Sequence, residues 1–330
     1  MITLGIESSC DETSIGIIKD NKVLANIVSS QIAHTKYGGV VPELAARNHI
    51  RVLLPLIRIA FETAGIGLNQ IDLVAATRGP GLLGSLLTGL SFAKSLSIGL
   101  KKPFIGVNHL EGHIYGLFFN QKVPKYPYLV LLVSGGHTEL IFVEKEFSYK
   151  TLGRTLDDAC GEAFDKVAKM IDLPYPGGPY IEKTAKNGNP LKIKFPVPRP
   201  KGFNFSYAGL KTAVLYYVRD NKRYKKDDVS ASFQEAAIEH LVQVSKRAIE
   251  YTKVKYFGIV GGVSVNKRLR EKFLNLAKLM GFGLYIPDTQ FCTDNGAMIA
   301  LAGQNRYKKF GPSDIGIDAI AREPLEQISI

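Results

Sequence analysis

Alternating apolar positions near the N-terminus predict three short β-strands. Residues 2–7 and 13–18 form two such runs, and the polar residues 8–12 between them predict a turn. Asp20-Asn21-Lys22 is a turn signal, after which residues 23–28 predict the third strand. The chain therefore opens with a strand, a serine-containing turn and two further strands.

A similar order of elements recurs later in the chain. Residues 128–133 and 138–143 predict strands on either side of the turn Ser134-Gly135-Gly136-His137. Each half of the chain therefore begins in the same way. Aligning the two hairpins places Ser9 opposite Ser134, Thr13 opposite Thr138, and the apolar residues Ile15, Ile17 and Ile18 opposite Leu140, Phe142 and Val143.

A strand followed by a glycine-rich turn and a helix also occurs in both halves. The strands are residues 72–77 and 256–260, and the second is followed by Gly261 and Gly262. A β/α unit that occurs twice predicts a duplicated actin-like ATPase fold (ASKHA, ribonuclease H-like) of the α/β class, with two lobes around a nucleotide and metal cleft.

Domain boundaries follow from this repeat. We expect an N-terminal lobe over residues 1–125, completed by the C-terminal segment 310–330. The second lobe is expected over residues 126–309, with an insertion of different character at about residues 150–230.

Composition narrows the classes of function. The 330 residues are 45% hydrophobic and carry a net charge of +12. This charge favours an anionic partner, first of all nucleic acid. The alternative is a generally basic protein without such a partner. The three cysteines are few and scattered, so we expect no disulfide framework and a reducing, cytoplasmic location. The apolar segment 82–100 is interrupted by Lys94 and predicts a buried helix rather than a membrane span.

Turns rich in glycine and serine are candidate phosphate sites. Their exposed backbone N–H groups suit phosphate oxygens, and such turns lie at Ser9, at residues 134–136 and at Gly261-Gly262. The chain has no GxxxxGK[ST] phosphate loop and no kinase signature set. The turns therefore favour nucleotide binding by an actin-like fold.

Two of the six histidines, His109 and His113, follow a predicted strand and are four residues apart. On a helix they share one face and can bind one metal ion; surface or helix-capping histidines are the alternative. Asp294 begins the matching helix of the other half, where it is either a third ligand from the opposite lobe or an N-cap. A zinc-protease motif is excluded, because Glu111 lies about 200° around the helix from His109.

Asp11 and Glu12 lie in the first predicted turn. Adjacent carboxylates beside a phosphate repel it unless they handle a metal, a proton or a donor hydroxyl. A catalytic or substrate role is therefore favoured over a plain solvated turn. Cys10 has no evident histidine partner and is interpreted as a packing residue.

The densest positive run in the chain has tyrosines interleaved with its basic residues. This mixture suits an RNA backbone with base stacking, and a solvated helix end is the alternative. The basic residues of this run are Arg219, Lys222, Arg223, Lys225 and Lys226.

Seven longer motifs lie in order between residues 6 and 266. They are IESSCDETS at 6–14, NHLEGH at 108–113, LLVSGGHT at 131–138, GEAFDK at 161–166, YPGGP at 175–179, GLKT at 209–212 and GGVSVN at 261–266. These motifs resemble those of the tRNA N6-adenosine threonylcarbamoyltransferase family (TsaD/Gcp, once called O-sialoglycoprotein endopeptidase). Leu132 stands where archaeal and eukaryotic members tend to have a tyrosine, so the chain resembles the bacterial branch. Tyr207-Ala208 replaces a Phe-Ser pair that is usual in the family, which affects local contacts only.

The resemblance implies transfer of a threonylcarbamoyl group from threonylcarbamoyl-AMP to N6 of the adenosine 3′ of the anticodon, in tRNAs reading ANN codons. It implies that His109, His113 and Asp294 bind iron or zinc. It also implies that ATP, ADP or threonylcarbamoyl-AMP contacts Leu132, Val133, Ser134, Gly135, Gly136, Asp165, Gly178, Glu182 and Asn266. The partners implied are tRNA, TsaB-like and TsaE-like proteins, and a threonylcarbamoyl-AMP synthase.

Two other classes of function stay open on the sequence alone. One is a sugar-kinase-like phosphotransferase of the same fold, and the other is a catalytically inactive scaffold subunit. The intact metal triad and the pair Asp11 and Glu12 argue against the scaffold.

Overall fold

The structure is a computed structural model that describes residues 1–29 and 39–328. The chain forms two compact units. The first unit comprises Met1–Lys122 and Thr293–Ile330, and the second unit comprises Val123–Cys292. Each unit has a sheet and an apolar core of its own.

The strands of the first unit form a five-stranded sheet in the order β3-β2-β1-β4-β5. The β1/β2 and β2/β3 pairs are antiparallel, whereas the β1/β4 and β4/β5 pairs are parallel. The strands are β1 (Ile2–Glu7), β2 (Thr13–Lys19), β3 (Lys22–Ser29), β4 (Leu73–Gly79) and β5 (Phe104–Asn108).

The second unit repeats this sheet in the order β8-β7-β6-β9-β10, with antiparallel β6/β7 and β7/β8 pairs and parallel β6/β9 and β9/β10 pairs. Its strands are β6 (Tyr128–Val133), β7 (Thr138–Lys145), β8 (Ser148–Arg154), β9 (Tyr256–Val260) and β10 (Gly283–Tyr285).

The helices surround these two sheets. In chain order they are α1 (Pro42–Ala64), α2 (Leu83–Leu100), α3 (His109–Gly116), α4 (Cys160–Met170), α5 (Gly177–Ala185), α6 (Ala208–Asp220), α7 (Lys226–Thr252), α8 (Lys267–Met280) and α9 (Gly296–Phe310). Their ends follow local chemistry: α8, for example, begins at the N-cap Asn266 and ends at Gly281, whose φ of 74° is left-handed.

The predicted repeat is present down to the strand register. In the first hairpin Ile6 lies opposite Ile15, and in the second Leu131 lies opposite Leu140, as the alignment of Thr13 with Thr138 requires. The two sheets also share the order and direction of all their strands. The prediction of a duplicated α/β fold is confirmed.

Helix α9 belongs to a different unit from the one predicted. Sequence order assigned residues 126–309 to the second lobe, but the chain returns to the first unit at Thr293, so α9 and Asp294 belong there. The reason is a close fit between backbones. A Cβ on Gly5 would lie 2.1 Å from the Gly296 carbonyl oxygen, and one on Gly16 would lie 2.1 Å from the Ala297 nitrogen. Glycines in β1 and β2 therefore let α9 pack directly on the first sheet.

Helix α2 is, within the described residues, the one helix long and apolar enough by length and composition to cross a membrane. One of its faces is buried in the first unit, where it packs against β4 and α1. Only 33% of α2 is buried, so the prediction of a buried helix over residues 82–100 is correct for one face, whereas the other face is exposed.

Candidate metal centre and glycine turns

Helix α3 begins where β5 ends, and it is buried along its whole length. The Asn108 side chain is its N-cap and accepts hydrogen bonds from the Leu110 and Glu111 N–H groups at 2.9 and 3.3 Å. His109 and His113 lie one turn apart on the same face, with ring centroids 4.8 Å apart. They are therefore neither surface histidines nor caps.

Asp294 completes a cluster with these two histidines. Its Oδ1 lies 3.1 Å from His113 Nε2 and 3.6 Å from His109 Nε2. The alternative role as an N-cap falls to the next residue, Asn295, whose side chain accepts from the Met298 N–H. All three residues belong to the first unit, so the prediction that Asp294 comes from the opposite lobe is wrong.

The cluster fits a divalent transition metal. One ligand atom from each of His109, His113 and Asp294 lies within 4.8 Å of the others. Two imidazoles and one carboxylate are a frequent ligand set for zinc or non-haem iron, and three protein ligands leave coordination positions open. Burial opposes a charged imidazole, but the Glu7 and Asp294 carboxylates outweigh it and raise the pKa of His109 to about 9. A metal must therefore displace a proton to bind there at neutral pH.

Glu7, the last residue of β1, is a buried carboxylate behind His109. Its Oε2 lies 3.0 Å from His109 Nδ1 and accepts from the Thr77 hydroxyl at 2.6 Å, while Oε1 accepts from the Ser9 N–H at 2.6 Å. Burial alone would raise the pKa of Glu7, but the charge of His109 holds it below the ordinary value. Sequence reasoning missed this residue. The available signal was a carboxylate at the buried end of an apolar strand.

Ser9 lies beside the metal cluster. Its side chain is buried, and its Oγ lies 3.2 Å from His109 Nδ1. Its carbonyl oxygen accepts a hydrogen bond from the Leu82 N–H, and its own N–H donates to Glu7 Oε1. The hydroxyl therefore faces the metal cluster, and the phosphate-turn role of Ser9 stays a prediction.

Asp11 and Glu12 lie half-buried in the turn between β1 and β2. The charge of Glu12 contributes to the raised pKa of His109, so this carboxylate lies near the cluster. Burial, together with the charges of Asp11 and Asp294, raises the pKa of the Cys10 thiol, which argues against a nucleophilic thiolate. The interpretation of Cys10 as a packing residue agrees with this environment.

Glu111 points away from the histidine cluster into a buried ion pair. Both of its carboxylate oxygens lie 3.2 Å from Arg306 Nη1 on α9. A carboxylate held by a buried arginine does not act as the base of a metalloprotease. The ion pair of Glu111 with Arg306 therefore argues against a zinc protease, as the helix geometry does.

The second unit carries the glycine turns at the carboxyl ends of β6 and β9. The Ser134 N–H donates to the His137 carbonyl at 2.8 Å and the His137 N–H to Ser134 Oγ at 3.0 Å, while positions 135 and 136 have open space around them. Leu132 and Val133 are fully buried in β6, and Val133 packs in the apolar core of the second unit. The Gly161 N–H donates to the Ser134 carbonyl, which brings the start of α4 to this turn.

Gly261 follows the end of β9 and lies beside the end of β6. Its φ is 92°, and a Cβ there would lie 2.4 Å from the Val133 carbonyl oxygen. The turn at Gly261 and Gly262 therefore lies directly beside the end of β6. Carboxyl ends of parallel strands are the usual place for ligands in such sheets.

The remaining predicted nucleotide residues lie in α4 and α5 and at the start of α8 in the second unit. Asp165 accepts from the Gly177 N–H at 2.6 Å at the start of α5, where Gly178 has open space around it. Glu182 accepts from the Lys267 N–H at 2.8 Å, and Asn266 caps α8. Glu182 also lines a cavity of about 320 Å³ together with Ala185, Lys186, Pro190, Ala231, Gln234, Glu235, Lys267, Arg268 and Glu271.

The basic run divides into paired and exposed residues. Arg219 forms an ion pair with Asp220 and stacks 4.7 Å over the Tyr216 ring. Lys226 begins α7 and lies 3.7 Å from an Asp172 carboxylate oxygen. The residues that extend into solvent between α6 and α7 are Lys222, Arg223 and Lys225.

Solved structures of similar fold define the class of this protein. HypF of T. kodakarensis has a TM-score of 0.64 at 14% identity, over 94% of this chain and 48% of that chain. Component A of the Acidaminococcus fermentans (R)-2-hydroxyglutaryl-CoA dehydratase has a TM-score of 0.57 at 17% identity, over 94% and 98%. At such identities the likeness concerns the fold alone, which is the actin-like ATPase fold.

Closer relatives define the family. The TsaD family model, described as tRNA N6-adenosine threonylcarbamoyltransferase, matches residues 22–301. A relative of that name from Thermosipho africanus is 50% identical over 325 residues, which cover 97% of this chain and 98% of the relative. The chain belongs to the tRNA N6-adenosine threonylcarbamoyltransferase family, and the resemblance carried by the seven motifs is confirmed.

Proposed function

We propose that this chain transfers a threonylcarbamoyl group from threonylcarbamoyl-AMP to N6 of the adenosine 3′ of the anticodon, in tRNAs that read ANN codons. Family membership supports the acyl transfer to tRNA. The structural observation that carries the proposal is the cluster of the buried His109 and His113 with the partly exposed Asp294, with the carboxylates of Asp11 and Glu12 in the adjoining turn of the same unit.

The metal ligands in this proposal are the Nε2 atoms of His109 and His113 and a carboxylate oxygen of Asp294. Iron or zinc is the proposed ion, because imidazole and carboxylate together suit either of them. A divalent ion bound there supplies Lewis acidity that stabilises negative charge developing on acyl and phosphate oxygens. Burial of both histidines strengthens such electrostatic interactions.

The nucleotide part of the substrate is proposed to bind the second unit. The open backbone at Ser134, Gly135 and Gly136 and the turn at Gly261 and Gly262 supply N–H groups for phosphate oxygens. The ribose and base contacts are assigned to Leu132, Val133, Asp165, Gly178, Glu182 and Asn266, of which Glu182 lines the cavity.

The transfer step exchanges one acyl bond for another. The exocyclic amine of adenosine attacks the carbamoyl carbon, a C–N bond forms, and the bond from that carbon to the phosphate oxygen breaks as AMP leaves. Asp11 or Glu12 orients the amine and accepts its proton. Both side chains are half-buried and reachable from solvent, which suits this role.

The proposed partners follow from the substrate and the family. The exposed cations Lys222, Arg223 and Lys225, with Arg219 and Lys226 beside them, are assigned to the tRNA backbone. We assign TsaB-like and TsaE-like proteins as members of a complex with this chain. A threonylcarbamoyl-AMP synthase supplies the donor, and the reaction takes place in the cytoplasm.

Reconstitution tests the proposal directly. The purified chain, loaded with zinc or iron, is incubated with unmodified tRNA and threonylcarbamoyl-AMP, with and without the two partner proteins. Digestion of the tRNA and mass spectrometry of the nucleosides then detects threonylcarbamoyladenosine. The modified nucleoside is expected in the complete mixture, and its absence from every mixture would overturn the transferase proposal.

Variants of the turn identify the proton acceptor. The two variants are Asp11→Asn and Glu12→Gln. The one that removes the proton acceptor is expected to lower the rate of tRNA modification by about 10²–10⁴-fold. Asp20→Asn is the matched control, because Asp20 is an exposed carboxylate in the next turn, paired with the N-terminus. Equal rates for all three variants would remove Asp11 and Glu12 from the mechanism.

A further inference from the structure

The environment of the two histidines is unequal. His109 Nδ1 has Glu7 Oε2 at 3.0 Å and Ser9 Oγ at 3.2 Å, whereas His113 Nδ1 is buried and has no hydrogen-bond partner within the described part of the chain. Both rings nevertheless direct Nε2 towards Asp294. A polar network at Nδ1 therefore holds the ring of His109, and His113 has no such network among the described residues.

We propose that Glu7 is a positioning residue of the metal centre, which keeps the proton of His109 on Nδ1 and leaves its Nε2 lone pair for the ion. The inference rests on the metal site of the proposed function. It extends that site from three ligands to a network that reaches β4 through Thr77. Partners of this kind orient metal-bound histidines in many proteins and increase ligand basicity.

The hydrogen bonds of Glu7 require a carboxylate. The Ser9 N–H and the protonated Nδ1 of His109 can only donate, and the Thr77 hydroxyl donates to the same carboxylate at 2.6 Å. A glutamine has one accepting oxygen and one NH₂ group. If the NH₂ faced Ser9, two donors would oppose each other. If it faced His109, it would favour the tautomer whose Nε2 is protonated and cannot bind a metal.

Charge leads to the same conclusion. With a divalent ion bound and both imidazoles neutral, the carboxylates of Glu7 and Asp294 balance the charge of the ion. Glu7 is fully buried, where an uncompensated charge is costly. Replacing Glu7 by a neutral residue removes one of the negative charges that face the ion, which again weakens binding of the ion.

Zinc affinity tests the role of Glu7 without reference to catalysis. The full chain, stripped of metal, is titrated with Zn²⁺ against a chromophoric chelator of known affinity. Glu7→Gln is expected to weaken zinc binding by about 10–100-fold. Thr77→Val, which removes one of the bonds that fix the carboxylate, is expected to weaken it by a smaller factor.

Thr3→Val is the matched control. Thr3 is as buried as Thr77 and lies in the same sheet, but its hydroxyl bonds Gln304 at 3.4 Å. Its zinc affinity is expected to stay within about twofold of wild type, as for a change that leaves the ligands and their partners in place. A Glu7→Gln affinity equal to that of Thr3→Val would overturn the inference, whereas wild-type protein that binds no zinc would instead refute the proposed metal site.

A measurement on the unmodified chain covers the case in which Glu7→Gln does not fold. Long-range ¹H–¹⁵N spectra of the zinc-bound wild-type protein, labelled at histidine, identify which ring nitrogen carries the proton. His109 is expected to be protonated at Nδ1 and bound through Nε2. Zinc bound through Nδ1 of His109 would contradict the role of Glu7.

Discussion

The Asp294 ligand lies two residues before the start of helix α9, so the packing of α9 on the first sheet should control both stability and metal affinity. Gly16→Ala tests this, because the added Cβ would lie 2.1 Å from the Ala297 backbone nitrogen. Comfortable contacts between such atoms lie at about 3.5 Å, so helix and strand must separate by more than about 1 Å. Overpacking of this kind costs about 1–3 kcal/mol. The thermal midpoint of a unit of this size should then fall by about 2–12 °C.

The same displacement reaches the metal ligands. Metal–ligand distances tolerate deviations of only about 0.2 Å, so a shift of α9 should lower zinc affinity by about tenfold or more. Thermal unfolding and chelator competition measure the two effects on one preparation. Gly99→Ala is the control, because Gly99 is exposed in α2 with open space at its Cβ, and alanine there should stabilise the helix slightly. A Gly16→Ala protein with wild-type stability and zinc affinity would refute the reasoning about α9.

Two further predictions concern the second unit. Burial lowers the pKa of His240 to about 4, against about 6.5 in an unfolded chain, so the unfolded state binds the additional proton between these values. Stability should therefore fall as pH decreases through this window, by about 2 kcal/mol at pH 5 relative to neutral pH in urea unfolding, and His240→Gln should abolish that dependence. Replacing Lys222, Arg223 and Lys225 by alanine should weaken tRNA binding and reduce the slope of log K against log salt by about 2, measured by fluorescence anisotropy. The control variant has the exposed pair Lys308-Lys309 replaced by alanine. If the two variants showed the same salt slope, the basic run would not be part of the tRNA-binding surface.

The repeated architecture was accessible from sequence because its signals are local. Period-two apolar runs and glycine turns identify β1, β2, β6 and β7, and Thr13 and Thr138 begin equivalent strands in the structure. The metal cluster was accessible for a related reason, since two histidines four residues apart on a helix share a face. The internal repeat then supplied Asp294, as the residue that begins the matching helix of the other half.

The remaining features depend on contacts between residues far apart in the chain. The order of elements placed α9 in the second lobe, and only the fit of its backbone against Gly5 and Gly16 shows why it returns to the first sheet. The role of Glu7 was hidden because its partners Thr77 and His109 lie 70 and 102 residues away. A buried carboxylate at a strand end carries no pattern that identifies such partners in advance.

The most direct test of the account is the effect of Asp294→Ala on tRNA modification. Wild-type and variant chains are compared with the same partners, tRNA, threonylcarbamoyl-AMP and zinc or iron, and the modified nucleoside is quantified after digestion. The account predicts loss of bound metal and a fall in the modification rate of about 100-fold or more, because one of three ligands and its charge are removed. Modification at the wild-type rate by metal-free Asp294→Ala protein would contradict the claim that this cluster is the centre of the transfer reaction.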